Sequence, residues 1–197
     1  MSQTNAVYLV LDMQNDLVHA NGVNGKGPLG EQVTSRNILE KTRKCIEQAR
    51  AAGIAVGFVR VGFAKGYPEC PPNSPVFSAA PKNGIFQLGT WGTEIHPSLQ
   101  ENEGDIQVIK HRVSPFYSTT LEAQLRAKNI KRIYCSGVST QAVVQATVRD
   151  AHDRDYEVIV IEDCCAAHDA TEHQNSINSI ARFCKTVKSD EVSFSNA

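Results

Sequence analysis

The chain predicts an α/β fold, a three-layer sandwich around a mostly parallel, Rossmann-like sheet of about six strands. Three observations carry this expectation. Short apolar runs alternate with helix-periodic segments between residues 6 and 187. The first run, Ala6 to Leu11 (AVYLVL), is continuously apolar, as a strand covered on both faces must be. Asp12, Lys110 and the Gly137 turn each follow such a run, and ligands of doubly wound sheets bind beyond the carboxyl ends of the strands.

The remaining elements follow in order. After a polar, Gly-rich stretch from His19 to Glu31, Arg36 to Ala52 has helical periodicity through Ile38, Leu39, Arg43, Ile46 and Ala49, with Gly53 as the C-cap. Ile54 to Val61 is a second strand. Gly62 to Gly84 carries Pro68, Pro71, Pro72, Pro75 and Pro81, so it reads as a long irregular connection, and such loops are often functional. Ile106 to Ile109 is a third strand ending at Lys110. Thr120 to Lys128 is a helix, with Thr119 as cap and Glu122 completing a capping box. Ile130 to Cys135 is the fourth strand, Thr140 to Asp153 a helix and Glu157 to Ile161 the fifth strand. Thr171 to Phe183 is a helix, and Lys185 to Val187 a sixth, weaker strand. Right-handed crossovers join these units. No repeat or internal boundary interrupts them, so 1–197 is read as one domain.

Composition excludes several function classes. The formal net charge is -1, with 41% hydrophobic and 21% charged residues, and the one basic patch, Lys128 to Arg132, is short and mixed. No nucleic-acid partner is expected. No apolar run is long enough to span a membrane, and the polar Met1 to Ala6 start reads as lacking a signal peptide, so a cytoplasmic location is expected. Six cysteines, at 45, 70, 135, 164, 165 and 184, show neither CxxC spacing nor scaffold density. Cys135, Cys164 and Cys184 lie in or beside strand-like runs and read as small hydrophobes. Cys70, in the Pro-rich loop, is expected to be the most exposed. The histidines at 19, 96, 111, 152, 168 and 173 are scattered without ligand spacing, and no Gly-x-Gly-x-x-Gly follows a strand. No metal and no cofactor are therefore expected.

Asp12 and Lys110 are the candidate chemical groups. Each also has a plain reading, as a strand-end carboxylate capping a loop and as a solvated strand end. If they meet in one crevice, the ammonium favours ionised Asp12, whereas apolar burial raises its pKa, and the balance decides between base and acid.

Four ordered segments carry a resemblance over nearly the full length. They are Leu9 to Asp16 (LVLDMQND), Gly89 to Pro97 (GTWGTEIHP), Lys110 to Thr119 (KHRVSPFYST), and Gly137 to Thr147 (GVSTQAVVQAT) followed by Arg149-Asp150-Ala151. The chain is similar to the isochorismatase-like hydrolases. In the cysteine amidases of that group the first Asp is the general base, the Lys stabilises charge, and a Cys in the Gly-Val turn is the nucleophile. The turn, often with a cis peptide after its Val, forms the oxyanion hole. The resemblance thus implies catalytic roles for Asp12 and Lys110, an oxyanion turn at Val138 and Ser139, and a nucleophile position at Val143. Valine cannot act as a nucleophile, so the chain resembles a member without the usual cysteine. Cys135 reads as pointing into the sheet packing, Ser139 and Thr140 lie in the turn without a neighbouring histidine, and covalent catalysis needs a thiol or hydroxyl beside a base. The branch with an Asp and two His ligands after the second strand is not matched, because Arg60-Val61-Gly62-Phe63 stands there.

Isochorismatases act without a cysteine, their aspartate protonating an enol ether before water adds. The resemblance implies the same for Asp12, with Gln14 positioning polar groups of the substrate, Lys110 attracting a carboxylate, and Val143 narrowing the pocket. Trp91, Phe116 and Tyr117 read either as packing or as a ring-lined pocket wall. His111 and Arg112 read either as anion contacts or as surface residues. The leading expectation is a small-molecule hydrolase that uses water, with Asp12 as general acid/base and no cysteine nucleophile. An amide (C–N) hydrolase with another nucleophile is the alternative, and a non-catalytic member that binds a metabolite or partner is a third. Family members usually form dimers or tetramers, so a homo-oligomer is implied.

Overall fold

The computed structural model describes residues 4–197. Met1–Gln3, part of the stretch read as lacking a signal peptide, lie outside the described residues. The elements are β1 (Ala6–Leu11), α1 (Asn15–Val18), α2 (Pro28–Ser35), α3 (Ile38–Ala51), β2 (Ala55–Val61), α4 (Ala80–Asn83), β3 (Ile106–Lys110), α5 (Leu121–Ala127), β4 (Arg132–Gly137), α6 (Gln145–His152), β5 (Glu157–Ile161), α7 (Ala170–Ile180) and β6 (Lys185–Val187). The six strands are ordered β3-β2-β1-β4-β5-β6, and every neighbouring pair is parallel. The expected α/β sandwich is present, with a wholly parallel sheet.

Strand alternation divides the core. Tyr8 and Val10 of β1 face one cluster with Val33 of α2 and Cys45 and Ile46 of α3. Val7, Leu9 and Leu11 face the other, with Leu121 and Leu125 of α5, Val148 of α6 and Ile177 and Ile180 of α7. All six residues of β1 are therefore buried, which explains its unbroken apolar sequence. Among the described residues, no helix is long and apolar enough to cross a membrane.

Strand order decides where a site can form. The chain lays down β1, β2 and β3 in one direction, then crosses back to place β4 beside β1, so the topological switch lies between β1 and β4. A crevice opens at such a switch, beyond the carboxyl ends of the strands. Gly137 lets the two strands stay close there, because a Cβ on it would stand 2.1 Å from the Leu11 carbonyl oxygen.

Two expectations needed correction. The His19 to Glu31 stretch, read only as polar and Gly-rich, runs into α2, with Pro28 in its first turn and Leu29 and Val33 on its buried face. The capping box before α5 does not form. Thr119 Oγ1 accepts from the Leu121 N–H at 3.2 Å, but Glu122 turns to Arg126 and Arg154 instead.

Candidate active site

Asp12 is the residue directly after β1, held with φ 55° and with its N–H donating to the Val59 carbonyl at 2.8 Å. Lys110 is the last residue of β3. The burial of β3 alternates, with Ile106, Val108 and Lys110 turned inward, so the lysine follows the period of the apolar residues. Its Nζ lies 2.8 Å from Asp12 Oδ2, and both side chains are almost wholly enclosed, at 2% and 7% exposure. The same Nζ donates to the Arg112 carbonyl at 3.1 Å. Asp12 Oδ1 is buried without a hydrogen-bond partner among the described residues. Burial pushes the Asp12 carboxyl above its ordinary pKa, and the Lys110 ammonium opposes that rise.

From the other side of the switch, Val138 follows β4. Its N–H donates to the Leu11 carbonyl at 3.1 Å, and the Val138–Ser139 peptide is cis. Thr140 to Val144 then form a single π-helical turn that continues into α6, and Ser139 gives this turn no side-chain cap. A cavity of about 530 Å³ joins the two sides, and Asp12, Lys110, Val138, Ser139 and Val143 all line it. The five residues expected at the reacting end are thus brought together. No thiol is among the described residues that line this cavity.

One other expectation is not met, and two open alternatives resolve away from a substrate contact. Gln14 does not reach the cavity. Its amide is used twice on Val61, Nε2 donating to the carbonyl at 3.0 Å and Oε1 accepting from the N–H at 2.9 Å. Val61 is in register with Lys110, so Gln14 secures the strand end beside the lysine. Trp91 is half exposed and packs edge-on against His19. Phe116 is buried against Tyr156, with the Arg154 guanidinium over its ring. Neither ring lines the cavity, and Tyr117 is exposed. His111 bonds to the Gly62 carbonyl, and Arg112 to the carbonyls of Glu69 and His111, so both are occupied by backbone.

Several lining residues escaped sequence reasoning. The Pro-rich connection and its sequel supply Val76, Phe77, Asn83, Ile85 and Phe86. Asp16 anchors this wall by accepting from the Phe86 N–H at 2.7 Å, with its own pKa raised by burial. Its place in the Asp12-to-Asp16 segment was the available signal. Gln141 and His168 meet at the cavity, with Nε2 and Nδ1 2.9 Å apart.

His173 supports the turn from behind. His173 Nε2 lies 2.9 Å from the Arg36 guanidinium, which can only donate, and 3.4 Å from Glu162 Oε2; the closer Arg36 contact favours a ring whose proton sits on Nδ1, 2.9 Å from Thr140 Oγ1. Burial and the Arg36 charge hold this histidine below its ordinary pKa, consistent with that neutral form. Nothing in the spacing of residues 140 and 173 announced the contact. Among the described residues, no group of three or more His, Cys, Asp or Glu side chains is placed to hold a metal ion.

Comparisons with known proteins bear on the family and the fold. A family model described as the isochorismatase domain matches residues 6–191. YecD, an uncharacterised isochorismatase family protein of Escherichia coli O157:H7, is 33% identical over 173 residues, covering 87% of this chain and 85% of the relative. The ureidoacrylate amidohydrolase RutB of Methylorubrum extorquens is 31% identical over 176 residues, covering 83% of this chain and 70% of that enzyme. The structure of N-carbamoylsarcosine amidase from Thermoplasma acidophilum superposes with a TM-score of 0.76 at 26% identity, covering 95% of this chain and 98% of that one. A cysteine hydrolase from Pseudomonas syringae shares the fold, with a TM-score of 0.84 at 22% identity over 97% of this chain and 92% of the other. With its motifs, switch-point cavity and domain match in agreement, this chain belongs to the isochorismatase family.

Proposed function

We propose that this protein hydrolyses a carbon–nitrogen bond of a small amide or ureido compound by direct attack of water, with Asp12 moving the proton and no covalent enzyme intermediate. The observation that carries this reading is Asp12 itself. One oxygen is held by Lys110 while the other is buried and unpaired, in a cavity whose described lining contains no thiol. The carboxylate accepts a proton from water as the water oxygen bonds to the carbonyl carbon. When the tetrahedral species collapses and the C–N bond breaks, Asp12 returns that proton to the leaving nitrogen. Burial raises the affinity of Asp12 for protons, which makes it a stronger base than an exposed aspartate. Lys110 keeps the pair neutral in the resting site. The N–H groups of Thr140 and Ala142 are bonded to the Ala166 and Ser139 carbonyls, so those of Gln141 and Val143 are the donors this turn offers to the developing oxyanion. Amide-type chemistry is favoured by the ureidoacrylate amidohydrolase and N-carbamoylsarcosine amidase relatives.

The raised pKa of Asp12 favours a second reading, in which protonated Asp12 acts first as an acid on an enol ether and water adds afterwards. The pH profile separates the two. Base-first catalysis gives a kcat/KM that rises with pH through the Asp12 pKa, and acid-first catalysis gives one that falls. Purified protein is to be tested against ureas, small amides and enol ethers. Asp12→Asn is expected to lose about 10²–10⁴-fold in rate. Intact mass recorded during turnover is expected to stay that of the unmodified chain. Full activity in Asp12→Asn, or a covalent adduct that accumulates and decays with turnover, would overturn the proposal.

A further inference from the structure

The charge of the cavity bears on what enters it. Lys110 is the sole lysine or arginine among the described lining residues, and its ammonium is already engaged by Asp12 at 2.8 Å and by the Arg112 carbonyl at 3.1 Å. Arg112, two residues further on, is bound to backbone carbonyls outside the lining. His168 faces Gln141, and any charge on its ring is met by Glu172 at 3.6 Å. The rest of the wall is mainly apolar and comes from separate parts of the chain, including Leu17, Leu29, Phe77, Ile85, Phe86 and Val113. Its remaining polar contributors, among them Asn24 and Asn83, are uncharged.

We infer that the substrate is an uncharged molecule, with a hydrolysable polar head at Asp12 and an apolar body of branched-alkyl or ring size, and that carboxylated analogues are rejected. This rests on the hydrolytic reading of the same site. A ligand carboxylate would enter beside the Asp12 carboxylate and compete with it for one ammonium. Its hydration would be stripped against an apolar wall without a compensating cation, the costliest way to bury a charge. An alkyl group gains from the same wall in proportion to the apolar area it covers. A cavity of about 530 Å³ is of ordinary size for a small ligand.

Binding tests this apart from turnover. The matched probes are 3-methylbutylurea and N-carbamoyl-leucine, which differ by one carboxylate, titrated into the purified protein by calorimetry. The urea is expected to bind at least about tenfold more tightly, a difference of about 1.4 kcal/mol. Asn83 is exposed at the end of α4, so Asn83→Lys adds a cation to the wall without disturbing the core. This variant is expected to narrow or reverse the preference by about tenfold, as an added ion pair at a partly exposed site would. Equal or tighter binding of the acid to the parent protein, binding of neither probe, or a preference unchanged by Asn83→Lys overturns the inference. Tighter binding of the urea with no hydrolysis of any compound sustains the inference while refuting the hydrolytic reading.

Discussion

Two ion pairs stand at opposite ends of the same sheet, and their carboxylates respond in opposite ways. At the carboxyl end, Lys110 and Asp12 make one contact of 2.8 Å inside an enclosed, apolar setting, and burial prevails to raise the Asp12 pKa. At the amino end, Arg132 opens β4 and Glu157 opens β5, in register with each other. The guanidinium contacts Glu157 Oε2 through Nε at 2.9 Å and through its terminal nitrogen at 2.7 Å, and Lys185 adds a contact at 3.2 Å. Burial works on Glu157 too, but its side chain is about a third exposed, and the donors hold it below the ordinary carboxylate range. Arg132 also reaches the carbonyls of Ser195 and Asn196, tying the end of the chain to the sheet. The lesson is that an ion pair with many donors near water holds its carboxylate ionised, whereas a sparsely supported pair in an apolar cavity leaves its carboxyl with a raised pKa.

The largest test of this contrast removes one charged partner from each pair. Lys110→Met leaves a buried carboxylate without its partner and is expected to cost about 3–5 kcal/mol in chemical denaturation. Glu157→Gln, at the partly exposed pair, is expected to cost about 0.2–1 kcal/mol. Comparable losses would mean that the two environments differ less than their burial indicates.

Acidity gives the next test, because the two signs oppose. Glu157 has a lowered folded-state pKa, so its contribution is present above the unfolded value of about 4.3 and is lost as pH falls through the folded one. The penalty of Glu157→Gln at neutral pH is therefore expected to fade on acidification. Asp12 has a raised folded-state pKa, so its contribution is present below the unfolded value of about 3.9 and is lost as pH rises through the folded one. The stability of Asp12→Asn relative to the parent is expected to increase with pH across that window. Denaturation curves with the same slope for both variants would break the comparison.

Salt is the smallest lever. Raising it to 1 M shortens the screening length to about 3 Å and is expected to remove much of the Glu157→Gln penalty, leaving that of Lys110→Met nearly unchanged.

Much of this was legible in the chain. The apolar run of β1, the terminal position of Lys110 and the Gly137 turn placed the candidate groups beyond strand ends, because strand period and burial are written locally in residue type. The alternation of Ile106, Val108 and Lys110 even contained the sign that the lysine points inward. Gln14, Trp91 and Phe116 were misplaced for the opposite reason. Each lies within a recognisable motif, yet whether its polar or aromatic group meets a ligand depends on neighbours from distant segments. Val61 takes both amide atoms of Gln14, Tyr156 and Arg154 enclose Phe116, and His19 lies against Trp91.

Residue order alone thus determined the strands, the covering helices other than α2 and the family motifs, since these depend on local periodicity and on short spacings. Only the tertiary structure decided that Lys110 would neutralise Asp12, that Val143 would face the same cavity, and that Phe77, Ile85 and Phe86 would make its wall apolar. Those outcomes follow from strand order, which brings together groups far apart in the chain, and from burial, which removes the water that would otherwise separate their charges.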